Sequence, residues 1–192
     1  MTSARARLAY VIVCCAGAAH AASSATTAVA VPAQWRTYDL LVQFHDLPRT
    51  YSCDDLWYRF RDVLLTLGAR AYMTLTPYDC GYVGGGEARS PRVEAKFQLP
   101  WLLQGADTRY AEMSAVRREV RLVPGAPHSL QAGDCDLMRQ LQETLLAALP
   151  VQVTTAAYTC NGPDATFALT LQAPMASGAW QGQPAAKSVP HS

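Results

Sequence analysis

Ser52-Cys53-Asp54-Asp55-Leu56, answered downstream by Tyr78-Asp79-Cys80, is the stretch that decides how this chain folds. It has a counterpart, in which Asp134-Cys135-Asp136-Leu137 leads to Tyr158-Thr159-Cys160. In each, one cysteine opens an amphipathic helix and a second closes the strand that follows. Leu56, Phe60, Val63, Leu64 and Leu67 recur at three- and four-residue steps and form one apolar stripe, which Gly68 ends. Leu137, Leu141, Leu145 and Ala148 repeat the stripe up to Pro150. Ser52 and Asp134 stand at helix-capping positions, and Asp54 and Asp55 favour the positive end of the first helix.

Helix and strand lengths choose the disulfide pairing. A helix from Cys53 to Ala69 runs about 25 Å at 1.5 Å per residue. A strand from Ala71 to Cys80 runs back about 30 Å at 3.3 Å per residue. The strand's end therefore returns to the helix's start, within the roughly 7 Å between Cα atoms that a disulfide needs. The sum is the same for Cys135 to Leu149 against Val151 to Cys160. Loop-closure entropy separates this pairing from the interleaved ones by only about 1 kcal/mol per bridge, so geometry decides. The expectation is Cys53–Cys80 and Cys135–Cys160.

Working outward, Tyr38, Leu40, Val42 and Phe44 alternate with Asp39, Leu41, Gln43 and His45 as a strand before the first helix. Gly81 to Pro91 reads as a glycine-rich hairpin loop, and Val93, Ala95, Phe97 and Leu99 as a strand ended by Pro100. The second set runs in the same order. Val116, Arg118, Val120 and Leu122 precede its helix, Asn161-Gly162-Pro163-Asp164 is a turn, and Phe167, Leu169, Leu171 and Ala173 lead to Pro174. Gln98-Leu99-Pro100 matches Gln172-Ala173-Pro174, although identity is otherwise faint and the helices align only with a one-residue gap. The reading is an α+β protein of two tandem strand-helix-strand-strand repeats with pseudo-twofold symmetry. Two helices pack on an antiparallel-rich sheet, with one disulfide per repeat. Units of about 60 residues are marginal alone, so the copies are expected to share a core.

The expected organisation is a signal peptide at 1–21, a flexible lead at 22–35, a first repeat at 36–100, a linker at 101–112, a second repeat at 113–174 and a disordered tail at 175–192. Arg5 and Arg7, an apolar run from Leu8 to Ala19 and the small-x-small site Ala19-His20-Ala21 carry the signal-peptide reading. The run is shorter than the roughly 20 apolar residues that span a bilayer. Val13 precedes Cys14 and Cys14 precedes Cys15, where lipid attachment would want a small residue, so it is not expected there. Removing the leader takes away two of the sixteen basic residues and none of the fifteen acidic ones, which leaves a near-neutral chain. A nucleic-acid partner would call for a basic footprint, which this balance does not supply. The expected location is periplasmic or secreted.

Candidate chemistry is thin. Redox pairs close in sequence, as in C-x-x-C, do not occur after the leader, and His45, His128 and His191 are too scattered for zinc spacing. Asp54, Asp55 and Asp79, with Asp134 and Asp136 in the equivalent place, read as helix caps and solvated strand ends. Gly81-Tyr82-Val83-Gly84-Gly85-Gly86 lacks the Gly-Lys-Ser/Thr ending of a phosphate loop. Arg117, Arg118 and Arg121, with Arg89, Arg92 and Arg109, read as solvated surface. Trp57 and Tyr58 beside the helix stripe, together with Trp101, form a possible aromatic interaction surface.

No catalytic, cofactor-binding or metal residue is assigned. The expectation is an exported, soluble, non-enzymatic domain that binds another envelope or secreted protein. The alternative is a small periplasmic hydrolase in which His45 works with Asp54 or Asp55. A self-assembling structural component is a third possibility.

Overall fold

Tyr38, Val42 and Phe44 are buried while Asp39, Leu41 and Gln43 are exposed, so the first strand lays one face on a core and the other toward solvent. The computed structural model describes residues 29–80, 90–162 and 164–179. The leader at 1–21, most of the glycine-rich loop with Arg89, Pro163 of the second turn, His191 and the chain beyond 179 lie outside the described residues.

The elements follow in the order β1 (Val31–Gln43), α1 (Cys53–Thr66), β2 (Thr74–Tyr78), β3 (Arg92–Leu102), β4 (Met113–Leu122), α2 (Cys135–Glu143), β5 (Gln152–Thr159) and β6 (Thr166–Ala179). Short 3-10 turns occupy Gly105–Tyr110, Ala132–Asp134 and Leu146–Ala148. All six strands join one sheet in the order β2-β3-β1-β4-β6-β5, and every pairing is antiparallel. Because β1 and β2 both run antiparallel to the β3 between them, they are parallel to each other, as a strand-helix-strand crossover requires. The fold is α+β, with few helices and two disulfides.

A single core joins the two halves of the chain. Val42, Phe44, Phe60 and Phe97 from the first half pack in one cluster with Leu122, Leu141, Leu169 and Leu171 from the second. The sheet's own seam is short. β1 meets β4 only across Val31–Ala33 and Met113–Ala115. A small second cluster of Ala33, Met113 and Ala115, with Trp35 and Leu102 against it, marks that seam.

Several boundaries depart from the reading of the sequence, each for a reason of backbone pairing. β1 begins at Val31, inside the stretch 22–35 expected to be flexible. Its small residues carry no amphipathic pattern, yet their backbone pairs with β4, and Ala33 pairs with Leu102 as well. β6 likewise runs to Ala179, beyond the expected end of the second repeat at 174, because it pairs with β4 as far as Met113. β3 passes through Pro100 into the expected linker at 101–112. Arg70 donates its N–H to the Gln98 carbonyl, so the backbone groups of Gln98 and Pro100 face away from β1. At Pro100 that side has no β2 partner, and the missing N–H costs nothing. The second helix is shorter than expected. It ends at Glu143, and the turn and 3-10 segment that follow bring Leu145 and Leu146 both into the core. A continuous helix would place those neighbours about 100° apart.

α1 ends as its sequence implies. Gly68 adopts φ +89°, its N–H reaches the Leu65 carbonyl and the Ala69 N–H reaches the Leu64 carbonyl, a paired C-terminal cap. A Cβ at Gly68 would lie 3.2 Å from the Pro174 carbonyl oxygen of β6. Gly68→Ala is therefore expected to lower stability by about 1–2 kcal/mol, the penalty for a left-handed non-glycine residue. A fall in the urea midpoint at unchanged slope checks it.

Candidate functional site

Both disulfides form within their own halves, Cys53–Cys80 and Cys135–Cys160, each with Cα atoms 5.2 Å apart. Ser52 caps α1: its Oγ accepts from the Asp55 N–H at 3.0 Å and donates to the Asp55 carboxylate at 2.9 Å. This fixes the start of α1 and sets the direction of a side chain one turn further on. Arg59 sits in the buried stripe between Leu56 and Phe60, only 3 % exposed.

Arg59 explains the most unusual group in the molecule. Asp134 is fully buried, and its carboxylate is not the cap of α2. It accepts from Arg59 Nε at 2.8 Å, from the Gln131 N–H at 2.8 Å and from the Tyr51 hydroxyl at 3.1 Å. Arg49 Nη1 lies 3.5 Å away on the solvent side. Arg59 Nη1 turns back to the Asp55 carbonyl and carboxylate at 3.2 and 3.1 Å. The Tyr51 ring lies near both guanidinium groups, with Arg49 at 5.3 Å and Arg59 at 5.4 Å from its centroid. The expectation that Asp134 lies in a solvated cluster is corrected. Its carboxylate is buried, closes a capping box with Gln131 on the 3-10 turn leading into α2 and bonds a distant arginine as well. The residue before a helix carries the same signature in either role.

The electrostatics match a closed clasp. Burial, and then the Asp134 carboxylate, push the Tyr51 phenol well above its ordinary range, so it remains a donor. Burial alone would lower the Arg59 pKa, but the bonds to Asp134 and Asp55 outweigh it and hold the guanidinium charged. Partial burial works against the Asp55 carboxylate, yet Ser52 and Arg59 hold it below its usual range. Every oxygen of Asp134 is occupied from within, and no face of it is presented to a ligand.

The remaining predicted residues are not assembled into a reactive group. His45 stands at the exit of β1, where its backbone N–H donates to Gln140 Oε1 at 2.9 Å and its carbonyl accepts from Gln140 Nε2 at 2.8 Å. Its ring is exposed and, among the described residues, forms no hydrogen bond or ion pair with Asp54 or Asp55. Asp79 pairs with Arg92 at 2.7 Å and Asp136 with Arg139 at 2.6 Å, both at the surface. Arg117, Arg118 and Arg121 are exposed on β4, and Glu119 stands between the two that share a face. Among the described residues no three His, Cys, Asp or Glu side chains converge, and no helix is long and apolar enough to cross a membrane.

The aromatic residues divide into two places. Trp57 and Tyr58 meet edge to face at 5.1 Å, Trp57 against the core and Tyr58 57 % exposed, with Arg61 5.6 Å from the Trp57 ring. Trp101 lies under the Arg36 guanidinium at 4.4 Å. Tyr78 pairs with Arg92, so α1 starts beside the opening end of β3, whereas Trp101 is near its close. At 3.3 Å per residue along β3 this puts the start of α1 and Trp101 about 30 Å apart. A shallow concavity of about 530 Å³ opens on the uncovered sheet face, lined by Thr37, Tyr72, Met73, Thr74, Lys96 and Gln98. It contains none of the aspartates at the helix starts.

Arg59 and Tyr51 were not singled out from the sequence. The available signal was an arginine in the middle of an apolar stripe, a position that demands a buried anion. Comparison with protein-family models, with curated proteins and with solved structures gave no match.

Proposed function

We propose that this chain is an exported, disulfide-stapled domain that acts by binding rather than by catalysis, with another envelope or secreted protein as its partner. The observation that carries this reading is the division of labour at the start of α1. Arg59, Asp55 and Asp134 there are spent on one another, while half-buried Trp57 and exposed Tyr58 stand beside a helix end fixed by a disulfide. A rigid, part-exposed Trp/Tyr pair with an adjacent arginine has the composition of an interaction hot spot. Two disulfides and the absence, among the described residues, of a membrane-spanning helix are consistent with export as a soluble protein.

We also infer that the two halves arose by duplication. Strand order supports it: outward from the shared seam, β1-β3-β2 in the first half reads as β4-β6-β5 in the second. Each half also ties the start of its helix to the end of its next strand.

The test is a photocrosslinking residue at position 58, with position 76 on the open sheet face as control, in the native envelope fraction. A protein captured at 58 and not at 76 is then purified and titrated. Tyr58→Ala is expected to weaken that complex about tenfold or more, the effect of losing a central aromatic contact. An unchanged affinity would remove this surface from the reading.

A further inference from the structure

Among the described residues the sheet has two free edges, and they are built differently. β2 is five residues long and carries Pro77, which pairs in register with Val93. Short length and proline are the usual means of blunting an edge. β5 is eight residues long, and Gln152–Thr159 contains no charge and no proline. Six of its eight side chains are exposed and, among the described residues, it pairs with β6 alone. An edge of this kind is a template for another strand.

We propose that β5 pairs antiparallel with β5 of a second copy of this chain, about a twofold axis through Ala157. A register shift between Val153 and Thr155 interrupts the start of the strand, and the Thr154 hydroxyl bonds the Thr170 carbonyl there at 2.9 Å. The regular part is Thr155-Ala156-Ala157-Tyr158-Thr159. The Thr170 carbonyl faces β5, so Thr155, Ala157 and Thr159 turn their backbone groups to β6, and those of Ala156 and Tyr158 turn outward. Centred on Ala157, this segment is close to a palindrome. Thr155 faces Thr159 of the second copy, Ala156 faces its Tyr158 in hydrogen-bonded pairs, and Ala157 faces Ala157 in a close non-hydrogen-bonded pair. Threonine pairs and an aromatic over a small residue are favourable cross-strand neighbours, and no like charges meet.

The helix beside the edge completes the match. Tyr158 reaches α2 through the Met138 carbonyl and Gln142, and Arg139 and Glu143 flank it. A twofold axis beside Tyr158 brings α2 of both copies together antiparallel. Arg139 of each then faces Glu143 of the other, the reciprocal contact an isologous interface requires.

Sedimentation velocity of the purified, oxidised protein over a wide concentration range is expected to show a mass rising toward twice that of the monomer. Ala157→Lys places two cations together on the axis and is expected to abolish that rise, with circular dichroism and melting unchanged because Ala157 is exposed. Thr76→Lys on the β2 edge is expected to leave it intact. Ala157→Cys is expected to give a crosslinked dimer under mild oxidation, which reductant reverses, and it decides the matter should the lysine variant fail to fold. A monomeric mass at every concentration, or a dimer that survives Ala157→Lys, would overturn the proposal. So would a monomer whose β5 edge amides resist hydrogen exchange, because another segment of the chain would then cover them.

Discussion

Asp134→Ala is expected to cost about 3–5 kcal/mol of folding stability, the range for removing one partner from a buried ion pair. Three donors, two of them buried, lose their acceptor together: Arg59 Nε and the Tyr51 hydroxyl in the interior, and the part-buried Gln131 N–H. The Arg59 guanidinium keeps Asp55, but that carboxylate is half exposed and reaches only its other end. Asp134→Asn keeps one acceptor oxygen, which at the Oδ2 position still serves Arg59 Nε and the Gln131 N–H, turns an NH2 donor toward the Tyr51 hydroxyl and removes the charge, so its cost is expected to fall between wild type and alanine. Arg59→Leu should cost a similar amount from the other side, because it strands a fully buried carboxylate. The double change Arg59→Leu/Asp134→Leu should cost much less than the sum of the single changes. Urea unfolding of wild type, Arg59→Leu, Asp134→Leu and the double variant completes the cycle. Additive costs would mean that the pair is not coupled in the folded protein.

The second large effect concerns the covalent staples. Replacing Cys53 and Cys80 together by serine is expected to cost about 3–4 kcal/mol from loop closure, and replacing Cys135 and Cys160 about the same. The sequence separations are 27 and 25, too close for the logarithm of loop length to distinguish. Unfolding free energies of the two paired variants check this, with binding measured on protein that remains folded. A much larger loss for one pair would show that its bridge also holds a contact beyond its own half.

What the sequence disclosed was local. Helix rise against strand rise placed Cys53 next to Cys80 without knowledge of neighbours, and the stripe from Leu56 to Leu67 faces the core as its spacing implies. What it concealed depends on partners distant along the chain. Asp134 meets an arginine 75 residues earlier, and a carboxylate just before a helix looks the same whichever partner it serves. Val31–Ala33 and the last residues of β6 are held by backbone pairing, which leaves no mark on side-chain pattern. Pro100 stops a strand only where its nitrogen faces a partner, and that depends on strand order. His45 does reach the end of the sheet expected of it, but its bonds run through its backbone to Gln140.

The three-residue seam between β1 and β4 has a consequence for how the molecule comes apart. No disulfide crosses it, so the two halves stay together through the shared core, the short backbone seam, the Arg59–Asp134 clasp, the His45–Gln140 bonds and the connecting chain. Reductant loosens each half from inside and leaves the joint between them untouched. Neutralising the clasp does the reverse: it weakens the joint and leaves each half tied by its own bridge. The protein thus has two separate modes of failure, one governed by redox conditions and one by charge.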